Sequence, residues 1–92
     1  MEKEKHLLVF SATWCGPCRM MKANVWEESI VKEKLNNFDS VSFIDIDDPD
    51  SRQMAMTYKV NAVPMIYIVD QKGIPVKAGS TMDVNQTLKF LS

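Results

Sequence analysis

Leu7-Leu8-Val9-Phe10, Ser11-Ala12-Thr13 and then Trp14-Cys15-Gly16-Pro17-Cys18 form the stretch whose reading decides the fold. Both cysteines of the chain lie in it, with two residues between them. The apolar run before the motif reads as a buried strand, and the residues after it read as helix. Cys15 is thereby placed at the mouth of the helix, where free backbone N–H groups and the positive dipole end favour a thiolate. Cys18 falls one turn further in, within reach of a disulfide with Cys15, and is expected to be the more sheltered of the two. Because the thiolate is the attacking species, a cysteine pair in this setting reads as a dithiol switch.

A metal site competes with that reading. Structural zinc needs four ligands, usually a second cysteine pair or two histidines. The chain has no further cysteine, and its single histidine, His6, opens the strand before the motif. A cluster shared between two chains stays open, without support from the Gly16-Pro17 pair. A purely structural disulfide is weakly motivated, because so short a loop constrains the unfolded chain little.

With 92 residues, 46% of them apolar, the chain can fill one hydrophobic core, and one domain over residues 1–92 is expected. A formal net charge of −1 leaves no basic footprint for nucleic acid. The start, Met1-Glu2-Lys3-Glu4-Lys5-His6, is charged with mixed sign and lacks the pattern of a signal peptide. No segment has the length of a membrane span. The expected setting is the cytoplasm, where disulfides are usually transient.

Beyond Cys18, Met21 and Val25 share one helix face while Arg19, Lys22 and Asn24 face water. Ser29 is placed as the cap of a second helix from Ile30 to about Leu35, with Glu33 near capping-box distance. Val41 to Ile46 reads as a strand running into the acids Asp45 to Asp50. Ser51 to Tyr58 has helical spacing, and Met65 to Val69 is apolar enough for a central strand. Asp70-Gln71-Lys72-Gly73 signals a turn into a short outer strand, Pro75 to Gly79. A last helix from Val84 to Leu91 follows, capped by Asp83.

Trp-Cys-Gly-Pro-Cys after an apolar strand, Val63-Pro64 some forty-five residues later, then a hairpin and a closing helix, together resemble thioredoxin over almost the whole chain. The resemblance implies an α/β, minimal thioredoxin-like fold: a four-stranded mixed sheet flanked by helices, without the first strand and helix of a full thioredoxin. One sheet edge is then left to be managed differently, although a monomer is expected. The activity implied is that of a protein-disulfide reductase. Cys15 would attack a substrate disulfide, and Cys18 would resolve the mixed disulfide. Trp14, Gly16 and Pro17 would form the surface beside Cys15. Val63-Pro64 would be a cis peptide facing the dithiol, its backbone pairing with the substrate chain. Gly79 would let that chain approach closely, although a turn or bulge glycine explains it equally. The implied partners are disulfide-containing client proteins and a thioredoxin reductase or other upstream dithiol donor. Neither metal nor cofactor is implied beyond the Cys15–Cys18 disulfide.

Departures from the family pattern are equally informative. A thioredoxin usually carries a buried aspartate six residues before the first cysteine, paired with a lysine on the next strand. Those positions fall on Val9 and Phe43. Losing both charges together avoids leaving either buried alone, and it also removes the usual proton acceptor of Cys18. Asp45 is a substitute base or, more simply, a surface acid. Ala23 stands where a kinking proline is common, so the helix is expected to be straighter or to end sooner.

Other residues read as packing or solvated surface. Met20, Met21, Met54 and Met56 sit at helical spacings and are expected in the core. Met65, directly after the proline, is placed beside substrate. Trp26 reads as packing, His6 as solvated, and the acids from Asp45 to Asp50 as a loop without the pattern of a calcium site. Two other functions stay open. A thiol oxidase or isomerase would need a more oxidising pair, and a binding subunit of the same fold would leave the dithiol incidental.

Overall fold

The computed structural model describes residues 4–92. Of the charged start, Glu4, Lys5 and His6 lie among them, and Met1, Glu2 and Lys3 lie outside. The elements run β1 (Lys5–Ser11), α1 (Gly16–Met21) continuing as a π-helical turn (Lys22–Trp26), α2 (Ser29–Leu35), β2 (Ser40–Asp45), α3 (Arg52–Thr57), β3 (Met65–Asp70), β4 (Pro75–Gly79) and α4 (Val84–Leu91).

The four strands form one sheet in the order β2-β1-β3-β4. β2 runs parallel to β1, and the other two pairings are antiparallel. β1 is central and covered on both faces, which is why Leu7, Leu8, Val9 and Phe10 are all buried without alternation. Leu7, Val9, Ile66 and Ile68 face Met21, Val25, Trp26, Val31 and Leu91 from α1, its π turn, α2 and α4. Leu8, Phe10, Ile44, Tyr67 and Val69 make the opposite layer, where Ala55 and Tyr58 of the α3 segment pack. Phe10, Tyr58 and Tyr67 form an aromatic trio there, with both phenols satisfied by backbone oxygens of Gly73 and Tyr58.

Several expectations are corrected. Ser29 is the first residue of α2 rather than its cap; Glu28 caps it with extended backbone and no side-chain bond. With Ser29 already helical, its hydroxyl has no capping geometry, and the capping box with Glu33 does not form. The α-helical part that follows the motif ends at Met21, and the chain then widens into a π turn around Ala23. The wider winding turns two consecutive residues, Val25 and Trp26, into the core. Of the four helical methionines only Met21 is buried; Met20, Met54 and Met56 are exposed, because α3 packs through Ala55 alone. His6 is half-buried in β1, with its ring nitrogens bonded to Ser40 Oγ and Glu4 Oε2. Met65 packs against the Phe10 layer.

Asp83 caps α4 as expected, accepting from Gln86 N at 2.8 Å. Gly73 has φ +82°, as the tight turn into β4 requires. Lys59 also has positive φ, 55°, where α3 ends in a Schellman turn: Val60 N donates to Ala55 O and Lys59 N to Met56 O.

Candidate active site

β1 delivers the chain to Ala12, whose carbonyl accepts from Cys15 N at 3.1 Å in the turn toward α1. Cys15 is the N-cap of α1, and its Sγ accepts from Cys18 N at 3.2 Å. A sulfur stands here where a capping oxygen usually stands, and it receives one of the N–H groups that a helix start leaves free. Pro17 fits the first turn, where no amide donor is needed. Cys15 and Cys18 are joined in a disulfide, with their Cα atoms 5.2 Å apart.

In this oxidised form both cysteine residues are buried, and Cys18 is not the more sheltered of the two. Cys15 is 4% exposed and Cys18 7%. Both cysteines cluster with Ala12 beneath Ile46 and Val63, and Cys15 Sγ lies 3.7 Å from the Val63 carbonyl oxygen of the loop opposite. Val63-Pro64 is a cis peptide, as the resemblance implied. Its position beside the disulfide leaves Gly16, Pro17 and Trp14 as the open surface, with Trp14 64% exposed.

Two residues that sequence reasoning passed over complete the surroundings. Asp47 Oδ2 accepts from Trp14 Nε1 at 2.7 Å and fixes the indole beside the disulfide. Asp47 N in turn donates to Asp45 Oδ1, so the acidic loop is a built support for the tryptophan. Composition showed only an acidic run; a register of the loop against Trp14 was needed to single out Asp47. Ser80 Oγ donates to Pro64 O at 2.8 Å and anchors the proline loop. The adjacent Gly79 closes β4 opposite Ile66, and a Cβ there would stand 2.9 Å from Phe90 Cε1. Its missing side chain therefore serves the seating of α4.

Behind the disulfide, between α1 with its π turn and the edge strand β2, lies a groove of about 740 Å³. Val9, Met21, Trp26 and Phe43 supply its apolar lining, and Cys18 and Asp45 both border it. Among the described residues no group of three or more His, Cys, Asp or Glu is placed to hold a metal ion. No helix there is long and apolar enough to cross a membrane.

A disulfide at a strand-to-helix turn, faced by a cis-proline loop on a four-stranded mixed sheet, defines a protein of the thioredoxin fold. The family model "Thioredoxin" matches residues 1–91, and the chain belongs to that family. It is 40% identical to thioredoxin H2-1 of Oryza sativa subsp. japonica over 55 residues, 60% of this chain and 36% of that protein. It is 32% identical to thioredoxin Asp f 28 of Aspergillus fumigatus over 87 residues, 90% of this chain and 74% of that one. The solution structure of a thioredoxin from Thermus thermophilus superposes with a TM-score of 0.80 at 22% identity, over 96% of this chain and 71% of that one. The chain spans about half the length of several of the curated relatives it matches.

Proposed function

We propose that the protein is a thiol-disulfide oxidoreductase working as a protein-disulfide reductase through Cys15 and Cys18. The observation that carries this reading is the seat of Cys15. Its sulfur accepts the Cys18 amide at a helix start and lies 3.7 Å from the Val63 carbonyl. The first contact stabilises a thiolate when the disulfide is open. The second sets the backbone before Pro64 beside the reacting sulfur, where an extended client segment can pair with it.

In the cycle, the Cys15 thiolate attacks a client disulfide and expels one client thiolate, forming a Cys15–client mixed disulfide. Cys18 then loses its proton and attacks Cys15 Sγ, and the second client sulfur departs as a thiolate. The client gains two electrons, and the Cys15–Cys18 disulfide is the oxidised product. An upstream dithiol, such as that of a thioredoxin reductase, returns two electrons. Trp14, Gly16 and Pro17 form the surface against which a client rests. The cytoplasm, where thiols are kept reduced, suits such a cycle.

The test is trapping. Cys18→Ser incubated with a disulfide-bonded protein client is expected to accumulate a stable Cys15–client mixed disulfide, and Cys15→Ser none. Client disulfides reduced equally well by wild type and by the double Cys→Ser variant would overturn the reading.

A further inference from the structure

The loop that faces Cys15 is held by few bonds. Among the described residues no backbone–backbone hydrogen bond reaches residues 61–64, and the β3–β4 ladder stops at the pair Ile66↔Gly79. Beyond that pair the two chains part, one toward Cys15 and the other toward α4. Pro64 is buried, and with the ladder ended its carbonyl has no backbone partner. A buried carbonyl needs one. A hydroxyl supplies it: Ser80 Oγ donates to Pro64 O at 2.8 Å. We propose that Ser80 is a positioning residue for client docking, whose hydroxyl makes Cys15 prefer disulfides carried on an extended polypeptide over small disulfides. The proposal rests on the exchange reaction argued above and names what selects its substrate class.

Ser80 can act as an anchor because its own neighbours are fixed. Gly79 lies so close to α4 that a Cβ there would stand 2.9 Å from Phe90 Cε1. Thr81 is buried, and its hydroxyl pairs with that of Thr87 in α4 at 2.8 Å. Met82 N donates to Gln86 Oε1, also in α4, at 2.8 Å. The Ser80 bond therefore carries the position of α4 to Pro64. There the ring fixes φ and the bonded carbonyl restrains ψ, so the preceding peptide has little freedom. Val63 O, 3.7 Å from Cys15 Sγ, belongs to that peptide.

An extended client pairs its backbone with Val63, whereas a small disulfide presents its sulfurs alone. Without the Ser80 hydroxyl the loop divides its time between the docking position and others. The apparent affinity for a polypeptide client then falls with the competent fraction, and attack on a small disulfide is spared. One hydrogen bond of ordinary strength sets the size of the effect at about two- to tenfold. Ser80 is exposed, so its substitution leaves the core in place.

The test uses a Cys18→Ser background. There the Cys15 thiolate attacks a disulfide, one sulfur leaves as a thiolate, and the mixed disulfide persists. Its rate of formation is followed against concentration for a short cysteine peptide, supplied as its symmetric disulfide, and for 2-hydroxyethyl disulfide. Ser80→Ala and Ser80→Val are expected to raise the half-saturating peptide concentration about two- to tenfold at an unchanged maximal rate. The 2-hydroxyethyl disulfide rate is expected to change less than about twofold, since that reagent has no backbone to dock. Ser80→Thr, which keeps the hydroxyl on a side chain shaped like valine, is expected to restore the peptide value. A loosened fold would instead move both reagents together. Equal shifts for the two reagents, no shift in Ser80→Ala and Ser80→Val, or Ser80→Thr behaving as Ser80→Val would overturn the proposal. If the protein with both cysteines fails to release reduced client while the Ser80-dependent preference persists, the reductase reading sinks and this assignment stands.

Discussion

Val9 on β1 and Phe43 on β2 are register partners in the parallel pairing of these strands, and both border the groove beside Cys18. They occupy the positions where the family pattern places a buried carboxylate and its lysine. Val9 is 2% exposed and Phe43 55%, so only one of the two sites is a buried one. The pair has become a floor and a wall of apolar surface, continued by the contact of Phe43 with Trp26.

A charge returned to Val9 alone has no partner. Val9→Asp is expected to lower the unfolding free energy by about 3–5 kcal/mol, the range for an uncompensated buried charge. Adding Phe43→Lys is expected to recover part of that loss. Urea unfolding of the single and double variants checks both; a Val9→Asp protein as stable as wild type would contradict the packing described.

With Val9 standing where the family pattern has a buried carboxylate, Cys18 is expected to give its proton to water or to the departing thiolate. The decay of a Cys15 mixed disulfide is therefore expected to accelerate steadily from pH 6 to pH 9 as the thiolate fraction of Cys18 grows. Rapid-quench kinetics on a purified mixed disulfide measures it. A rate flat across that window would mean that a protein group, Asp45 first among them, takes the proton.

Trp14 owes its orientation to Asp47. Trp14→Phe and Asp47→Ala each remove the same exposed bond, so each is expected to cost about 1 kcal/mol or less in stability. Client reduction is expected to fall several-fold in either variant and no further in the double one. Additive losses in kcat/KM would show that the two residues act separately.

The hydroxyls of Thr81 and Thr87 are both buried and 2.8 Å apart, and Thr87 Oγ1 donates to Asp83 O. With that proton committed, Thr81 is the donor to Thr87. Thr87→Val leaves the Thr81 hydroxyl buried without its acceptor, at an expected cost of about 1–3 kcal/mol. Thermal unfolding measures it, and a loss below a few tenths would contradict this assignment.

Lys59 holds a left-handed conformation that a side chain disfavours. Lys59→Gly is expected to stabilise the fold by up to about 1 kcal/mol, net of the flexibility glycine adds to the unfolded chain. For a domain of this size that is a rise in Tm of about 4–8 °C, and a fall would contradict it.

Much of this was legible in residues 7–18 alone. A four-residue apolar run with no alternation reads as a strand covered on both faces, and the cysteine spacing after it marks the helix entry. The Asp83 cap and the Gly73 turn were legible because each depends on local backbone geometry. Ser29 was misplaced because helix starts shift by a residue when no side-chain bond pins them. The exposed methionines show the limit of periodicity: helical spacing identifies a face but not whether another element covers it. Asp47 and Ser80 act across 33 and 16 residues of sequence, and no local pattern encodes such contacts. The burial of Cys15 escaped for the same reason, since the Val63 loop that covers it is 48 residues away.

The reduction potential of the Cys15–Cys18 pair tests the central claim most directly. The protein is equilibrated in graded dithiol buffers, and free thiols are trapped for mass analysis. A reductase is expected to titrate reversibly below about −230 mV, toward the −270 mV of thioredoxin. A value between about −120 and −180 mV would contradict the account and reverse the direction of electron flow.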